Sequence, residues 1–416
     1  MKVLIISNFL PYPPIRGDFR RATHLIEWLK KSGHDLSYLW IQTDYTDRTG
    51  LLELGKSCDE ILMVDLRPFF SRLQQGIGAW GRRLLSRFSI GRRYLKSRSL
   101  KQARNGIITK PGSVNFLNCA SDRIKIEKVI GKMVQRPDVV ICEYAMTARC
   151  LDFPQFSDVL KILDTIDVLH NRQTLAQKGV NPWVYCTREE EKGYLERADV
   201  ILAMRPEEEN FLRLLVPDRK VICAGHAFYV NSVPQTSNET SCLFIGSSQA
   251  ENREGLSWFQ SNVWPLVLRK IPSAKFLVAG EITTFANEEK SVELLENTAE
   301  VDPIYRRAAV VVVPVFSGTG LSTKFSEALS KGKAIVAVTH AARGITADDL
   351  YLCRDDAAGF AQATVRLLKD AALRKHFEEN AIRYAQEYLQ PDKAFAVLEE
   401  ILITREPKSE EYLQPV

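Results

Sequence analysis

The sequence predicts an α/β protein of two doubly wound parallel sheets facing each other across a cleft. Three observations carry this. Runs of strand length such as Val3 to Ile6, Val139 to Cys142 and Val310 to Val313 are apolar throughout rather than alternating, the pattern of strands covered on both faces. Amphipathic stretches of helix length, such as 20–31 and 189–197, separate them. The same grammar then starts again after a polar, turn-rich stretch at 225–241. A strand is expected at 243–245, one helix over 256–270, strands at 275–279 and 309–314, a helix at 323–331 and a strand at 334–339. The domains are therefore read as 1–224, a linker at 225–241, and 242–390. Residues 391–416 are read as a C-terminal helix and tail that pack back toward the first domain.

Composition agrees with a chain of 416 residues folded into two large units. With 45% hydrophobic and 26% charged residues, a disordered, collagenous or coiled-coil protein is excluded. Eight cysteines form no C-x-x-C pair, which argues for reduced thiols and against a zinc site or a disulfide framework. Met1 to Ser7 holds only four consecutive apolar residues and reads as a first strand rather than a leader. The longest strongly apolar stretch, 308–316, has nine residues where a spanning helix needs about 20. The expected location is cytoplasmic.

The stretch Val310 to Leu329 is the most informative. A buried strand enters the loop Ser317-Gly318-Thr319-Gly320-Leu321-Ser322 and then a helix opening at Thr323. The first N–H groups of that helix face the cleft unpaired and suit a diphosphate. Lys324 is expected to meet phosphate oxygens, and Glu327, on the same helix face, to accept from ribose hydroxyls. Two other phosphate motifs do not fit: the third glycine of a dinucleotide fingerprint is missing, and no glycine precedes Lys324 as in a P-loop. Taken alone, Lys324 and Glu327 also fit an ordinary solvated ion pair.

The block Gly318-x-Gly320-x-x-x-Lys324-x-x-Glu327-Ala328-Leu329, followed by Gly332 to Val336 and Gly344-Ile345, resembles family 4 glycosyltransferases, retaining nucleotide-sugar enzymes of the GT-B fold, of the type that builds bacterial cell-surface polysaccharide. Other segments agree in order: Pro11 to Pro14 with Gly17, Arg21 and His24; Phe244 to Ser247 with Asn252; Trp258-Phe259 and Val263 to Pro265; Leu277 to Gly280; and Tyr305 to Ala309. The resemblance implies two Rossmann-like domains, with the donor nucleotide and phosphates held by Gly246, Ser247, Arg253, Gly280, Gly318, Thr319, Gly320, Leu321, Ser322, Thr323, Lys324 and Glu327. It implies no metal and no cofactor beyond the nucleotide-sugar donor. The sequence departs from the family in three places. Thr319 stands where many members have the first of two glutamates. Ser247 and Asn252 stand where an arginine and a lysine are common, with Arg253 displaced. Asp18 replaces the second glycine of a Gly-Gly pair.

In the first domain, Leu163-Asp164-Thr165-Ile166-Asp167-Val168 ends a buried strand in polar groups, the place where α/β sheets carry chemistry. Asp167 is the expected cleft carboxylate and, with Lys324 and Glu327, the expected catalytic set. Either Asp164 or Asp167 also fits as the cap of the following helix. Acceptor-side candidates are Gly17, Arg21, His24, Glu143 and His170.

Charge is unevenly spread. Between 66 and 121 there are twelve Lys and Arg and no Asp or Glu, which leaves 44 basic against 51 acidic residues elsewhere. Leu73, Ile77, Trp80, Leu84 and Phe88 fall at near-helical spacing there, so residues 67–110 read as a basic amphipathic surface for an anionic membrane, on its inner face. A solvated basic helix face is the other reading. Nucleic acid is not expected, since no recognition motif accompanies the charges. The expected activity is sugar transfer from a nucleotide-diphosphate sugar to a glycan or lipid-linked acceptor. The alternatives are a GT-B epimerase or phosphorylase, or a silent GT-B binding subunit.

Overall fold

The computed structural model describes residues 1–43, 49–66, 120–172, 185–235, 240–295, 300–318, 322–345, 347 and 349–404. Seven strands make the first sheet: β1 (Lys2–Ser7), β2 (Asp35–Gln42), β3 (Glu60–Asp65), β4 (Val139–Glu143), β5 (Leu160–Asp164), β6 (Val200–Ala203) and β7 (Lys220–Cys223). Their order is β3-β2-β1-β4-β5-β6-β7 and every pairing is parallel. Six more make the second: β8 (Ser241–Ile245), β9 (Lys275–Ala279), β10 (Val292–Leu295), β11 (Val310–Val313), β12 (Ala334–Ala337) and β13 (Leu352–Cys353), in the order β10-β9-β8-β11-β12-β13. These strands too are all parallel. Each order reverses once, between β1 and β4 and between β8 and β11, and such switch points are where doubly wound sheets bind ligands.

The central strands are short and apolar because both faces are covered. Side chains of β1, β2 and β4 alternate between two cores, one holding Leu4, Ile6, Val140 and Cys142, the other Val3, Ile5, Val139 and Ile141. Phe395, Leu398, Ile401 and Leu402 complete the second of these, so the helix Ala396–Thr404 covers the first sheet, with Phe395 against Trp28 at 5.0 Å between ring centroids.

Two expectations need correction. The helix expected over 256–270 is interrupted. Ala250–Trp258 passes through a wide turn at Phe259–Val263 before Trp264–Lys270, because Pro265 has no N–H to donate back along the helix. The linker is not simply polar. Ala227 packs in the first domain's core and Phe228 and Val233 in the second's, so the crossing segment is shared by both. The strands β3, β7, β10 and β13 also lie outside the sequence expectation. The basic stretch 67–110 and the tail 405–416 lie outside the described residues.

Candidate active site

The carboxyl edges of the two sheets face each other, and the loops after β1, β4 and β5 approach those after β8 and β11. Between them lie two adjoining concavities of about 610 and 1020 Å³, both lined by Arg16, Gly17, Ser247, Thr323 and Lys324. Gly17 opens the helix Gly17–Lys31, and a Cβ there would meet Thr323 Cγ2 at 2.8 Å, so the missing side chain lets the domains close on each other.

On the C-terminal side, the buried run Val310–Val313 delivers the chain to the helix Thr323–Ser330. Ser322 caps that helix in an extended conformation without a side-chain cap bond, and its buried hydroxyl has no partner among the described residues. The free N–H groups of the first turn therefore lie open at the cleft. Lys324 lines both concavities and has no ion-pair or hydrogen-bond partner among the described residues. Burial pushes its ammonium pKa down to about 8. An unpaired, half-desolvated cation beside open N–H groups is a seat for an anion.

Glu327 is buried and already engaged. Arg20, from the first domain, forms an ion pair with it, and the Tyr305 hydroxyl donates to Glu327 Oε2 at 3.2 Å. Gly246, Ser247 and Gly280 line the smaller concavity, and Gly318 and Ser322 the larger. Asn252 is buried and donates to the carbonyl (2.9 Å) and hydroxyl (3.1 Å) oxygens of Ser247, which fixes that loop without adding charge. Arg253 corrects the expectation of a phosphate contact: its guanidinium lies over the Phe285 ring at 4.9 Å and lines neither concavity. Thr319, Gly320 and Leu321 lie outside the described residues.

On the N-terminal side, Asp167 lines the larger concavity and is buried against Arg172, whose Nε donates to it at 2.6 Å. Arg16 and Asp18 form a second pair at 2.7 Å, with the Tyr144 hydroxyl donating to Asp18 at 3.2 Å. The wall thus carries paired, nearly neutral charges. The other acceptor-side candidates except Gly17 lie elsewhere. Arg21 is fully buried and holds Asp164 at 2.7 Å and the Gly225 carbonyl oxygen at 2.7 Å, joining the first helix to the end of β5 and to the linker. Glu143 is fully buried behind the sheet edge, where desolvation pushes its carboxyl pKa up to about 8. His170 is bonded to Glu191, which also accepts from the backbone N–H groups of Leu169 and His170, so it caps a turn. His24 donates to the Ala227 carbonyl oxygen at 2.6 Å, and burial lowers its pKa to about 4. In each of these four the polar group is engaged in the protein's own structure: Arg21 and His24 tie the first helix to the linker, Glu143 is buried in the first domain, and His170 is held by Glu191.

Sequence reasoning missed Arg16, Arg20, Tyr144, Arg172 and His226 as cleft residues. Arg16 and Arg20 flank the quoted Gly17 and Arg21, and one turn of helix decides which arginine enters the cleft. Arg172 follows Asp167 at a spacing that a tight turn closes.

Comparisons with known proteins agree with this architecture. Residues 239–370 match the family described as Glycosyl transferases group 1. An uncharacterized 44.6 kDa protein in the cps region of Klebsiella pneumoniae is 24% identical over 170 residues, covering 37% of this chain and 44% of that protein; the matched part spans less than half of that relative. Among solved structures, sucrose-phosphate synthase from Thermosynechococcus elongatus superposes with a TM-score of 0.66 at 14% identity, covering 97% of this chain and 98% of that one. HepE of Anabaena, in complex with UDP and glucose, gives 0.62 at 12%, covering 97% and 100%. A variant of S. aureus TarM, in complex with Fondaparinux, alpha-GlcNAc-glycerol and UDP, gives 0.64 at 12%, covering 97% and 99%. The chain has the two-domain GT-B fold of these glycosyltransferases, and its second domain carries the match to the group 1 family.

Proposed function

We propose that this protein is a retaining glycosyltransferase that moves a sugar from a nucleotide-diphosphate donor to an acceptor hydroxyl on the N-terminal wall of the cleft. The observation that carries the reading is Lys324, a half-buried cation with no hydrogen-bond or ion-pair partner among the described residues, at the open start of a helix within the region that matches the group 1 family. HepE and TarM, which share the fold, were each crystallised with UDP, which supports a nucleotide ligand for this chain. Lys324 and the helix N–H groups would stabilise charge developing on the β-phosphate as the sugar–oxygen bond breaks, without recourse to a metal. The leaving phosphate would take the acceptor proton. Asp167, held by Arg172, would orient the acceptor or the sugar rather than attack it. Glu327 would accept from ribose hydroxyls once Arg20 yields.

The acceptor in this reading is a glycan of polysaccharide assembly or one carried on a lipid, approached at the inner face of the membrane through the basic segment 67–110. The relative in a cps region supports the polysaccharide setting. No helix of the described residues is long and apolar enough to cross a membrane. Replacing Arg82, Arg83, Arg92 and Arg93 with Gln is expected to reduce sedimentation with anionic vesicles at low salt; unchanged sedimentation rules the segment out as a membrane contact.

Glu327 held by Arg20 favours one alternative, a nucleotide-binding GT-B protein without turnover. Incubation with UDP-, GDP- and ADP-sugars separates the two. Release of nucleoside diphosphate with an anomerically retained product supports the enzyme, and tight binding without release from any donor supports the silent protein.

A further inference from the structure

The linker crosses the cleft at Gly225 to Phe228, and its backbone there is tied at three points. Arg21 donates to the Gly225 carbonyl oxygen at 2.7 Å, His24 to the Ala227 carbonyl oxygen at 2.6 Å, and the Phe228 N–H to the Leu389 carbonyl oxygen at 2.7 Å. Between these ties sits His226. Its ring packs against Phe228 with centroids 6.0 Å apart and is 6% exposed, yet the residue lines the larger concavity, as Lys324 does. No hydrogen-bond partner reaches it among the described residues, and Nδ1 is sealed inside the protein. Burial, with Arg21, His24 and Arg20 nearby, holds the ring well below its ordinary pKa, so the imidazole is neutral and carries one proton. A proton on sealed Nδ1 would be a buried donor with no acceptor, so it belongs on Nε2, the nitrogen turned to the cleft.

We propose that His226 contacts substrate, donating a hydrogen bond from Nε2 to a hydroxyl oxygen of the sugar on the nucleotide-diphosphate donor. The proposal rests on the donor reading given above. A ligand oxygen would satisfy a ring that has no partner among the described residues, whereas Asp167 and Arg172, and Arg16 and Asp18, are already ion-paired. A neutral donor suits a hydroxyl. The phosphates have Lys324 and the helix start, and the sugar attached to them would occupy the same concavity as His226. The pinned backbone means that little is lost in ordering the residue when the ligand arrives.

The test compares UDP with UDP-glucose, and the GDP and ADP pairs likewise, by titration calorimetry on wild type, His226→Gln and His226→Phe. The quantity read is the affinity ratio between a nucleotide sugar and its own diphosphate. His226→Phe is expected to lower that ratio about 3- to 10-fold, the effect of one hydrogen bond. His226→Gln, whose amide N–H reaches a similar point, should keep it within about twofold, with diphosphate binding alike in all three. His226→Met replaces the Phe variant if the phenyl ring is not accommodated. A ratio unchanged in His226→Phe, or lowered as much by Gln as by Phe, overturns the assignment. Failure of wild type to bind any diphosphate instead overturns the donor reading beneath it.

Discussion

Partial burial, with no hydrogen-bond or ion-pair partner among the described residues, makes Lys324 a sensor of its own ligand. Its ammonium is charged below the pKa of about 8 and loses its proton as pH rises through that value. A bound diphosphate favours the charged form and raises the pKa, so affinity should be full below pH 8 and fall by up to about tenfold per pH unit above it. Titrations between pH 7 and 9.5 check this, and in Lys324→Met the slope should vanish. Arg20 acts in the opposite sense, since its ion pair with Glu327 has to be broken before ribose hydroxyls reach that carboxylate. Arg20→Gln is therefore expected to tighten diphosphate binding about 3- to 10-fold while lowering the melting temperature, because Glu327 then stays buried with only Tyr305. Lys324 and Glu327 were legible in the sequence through their position in a strand-loop-helix unit. Arg20 was not, because its partner lies 307 residues away in the chain, and no local pattern encodes which acid an arginine meets across a domain interface.

At the scale of elements, the site depends on loops held close behind it. Gly280 follows β9 with φ of +89°, and a Cβ there would lie 2.5 Å from the Gly246 carbonyl oxygen. Gly280→Ala is expected to cost about 1–3 kcal/mol, combining left-handed strain with a backbone clash, and to weaken diphosphate binding through the loop beside Lys324. Urea unfolding and calorimetry measure the two effects. The strands that sequence located, β1, β4, β8 and β11 among them, are continuous apolar runs buried on both faces. Those it missed, β3, β7, β10 and β13, are the four edge strands of the two sheets; β3 and β10 keep partly exposed, mixed compositions at Glu60–Asp65 and Val292–Leu295. The interrupted helix shows the same limit. Apolar spacing over 256–270 is helical throughout, and only the proline marks where the hydrogen-bond ladder has to open.

Across the whole molecule, the chain joins its halves twice. The linker lends Ala227 to one core and Phe228 to the other, and the C-terminal helix crosses back to finish the first. Phe395→Ala, which removes the ring packed on Trp28, is expected to cost about 3–5 kcal/mol, read as a lower urea midpoint, and to loosen the first domain without altering the diphosphate seat of the second. The two-domain plan was legible because the strand-helix grammar repeats, whereas the relative placement of the walls depends on contacts such as Gly17 with Thr323 that pair distant positions. Everything proposed for the cleft depends on a phosphate seat at Lys324. Titration of UDP, GDP and ADP, each beside its nucleoside, into wild type and Lys324→Met tests that directly. The account predicts that at least one diphosphate binds wild type far more tightly than its nucleoside and that the substitution removes most of that difference. Equal losses for nucleoside and diphosphate, or no diphosphate binding at all, would contradict it.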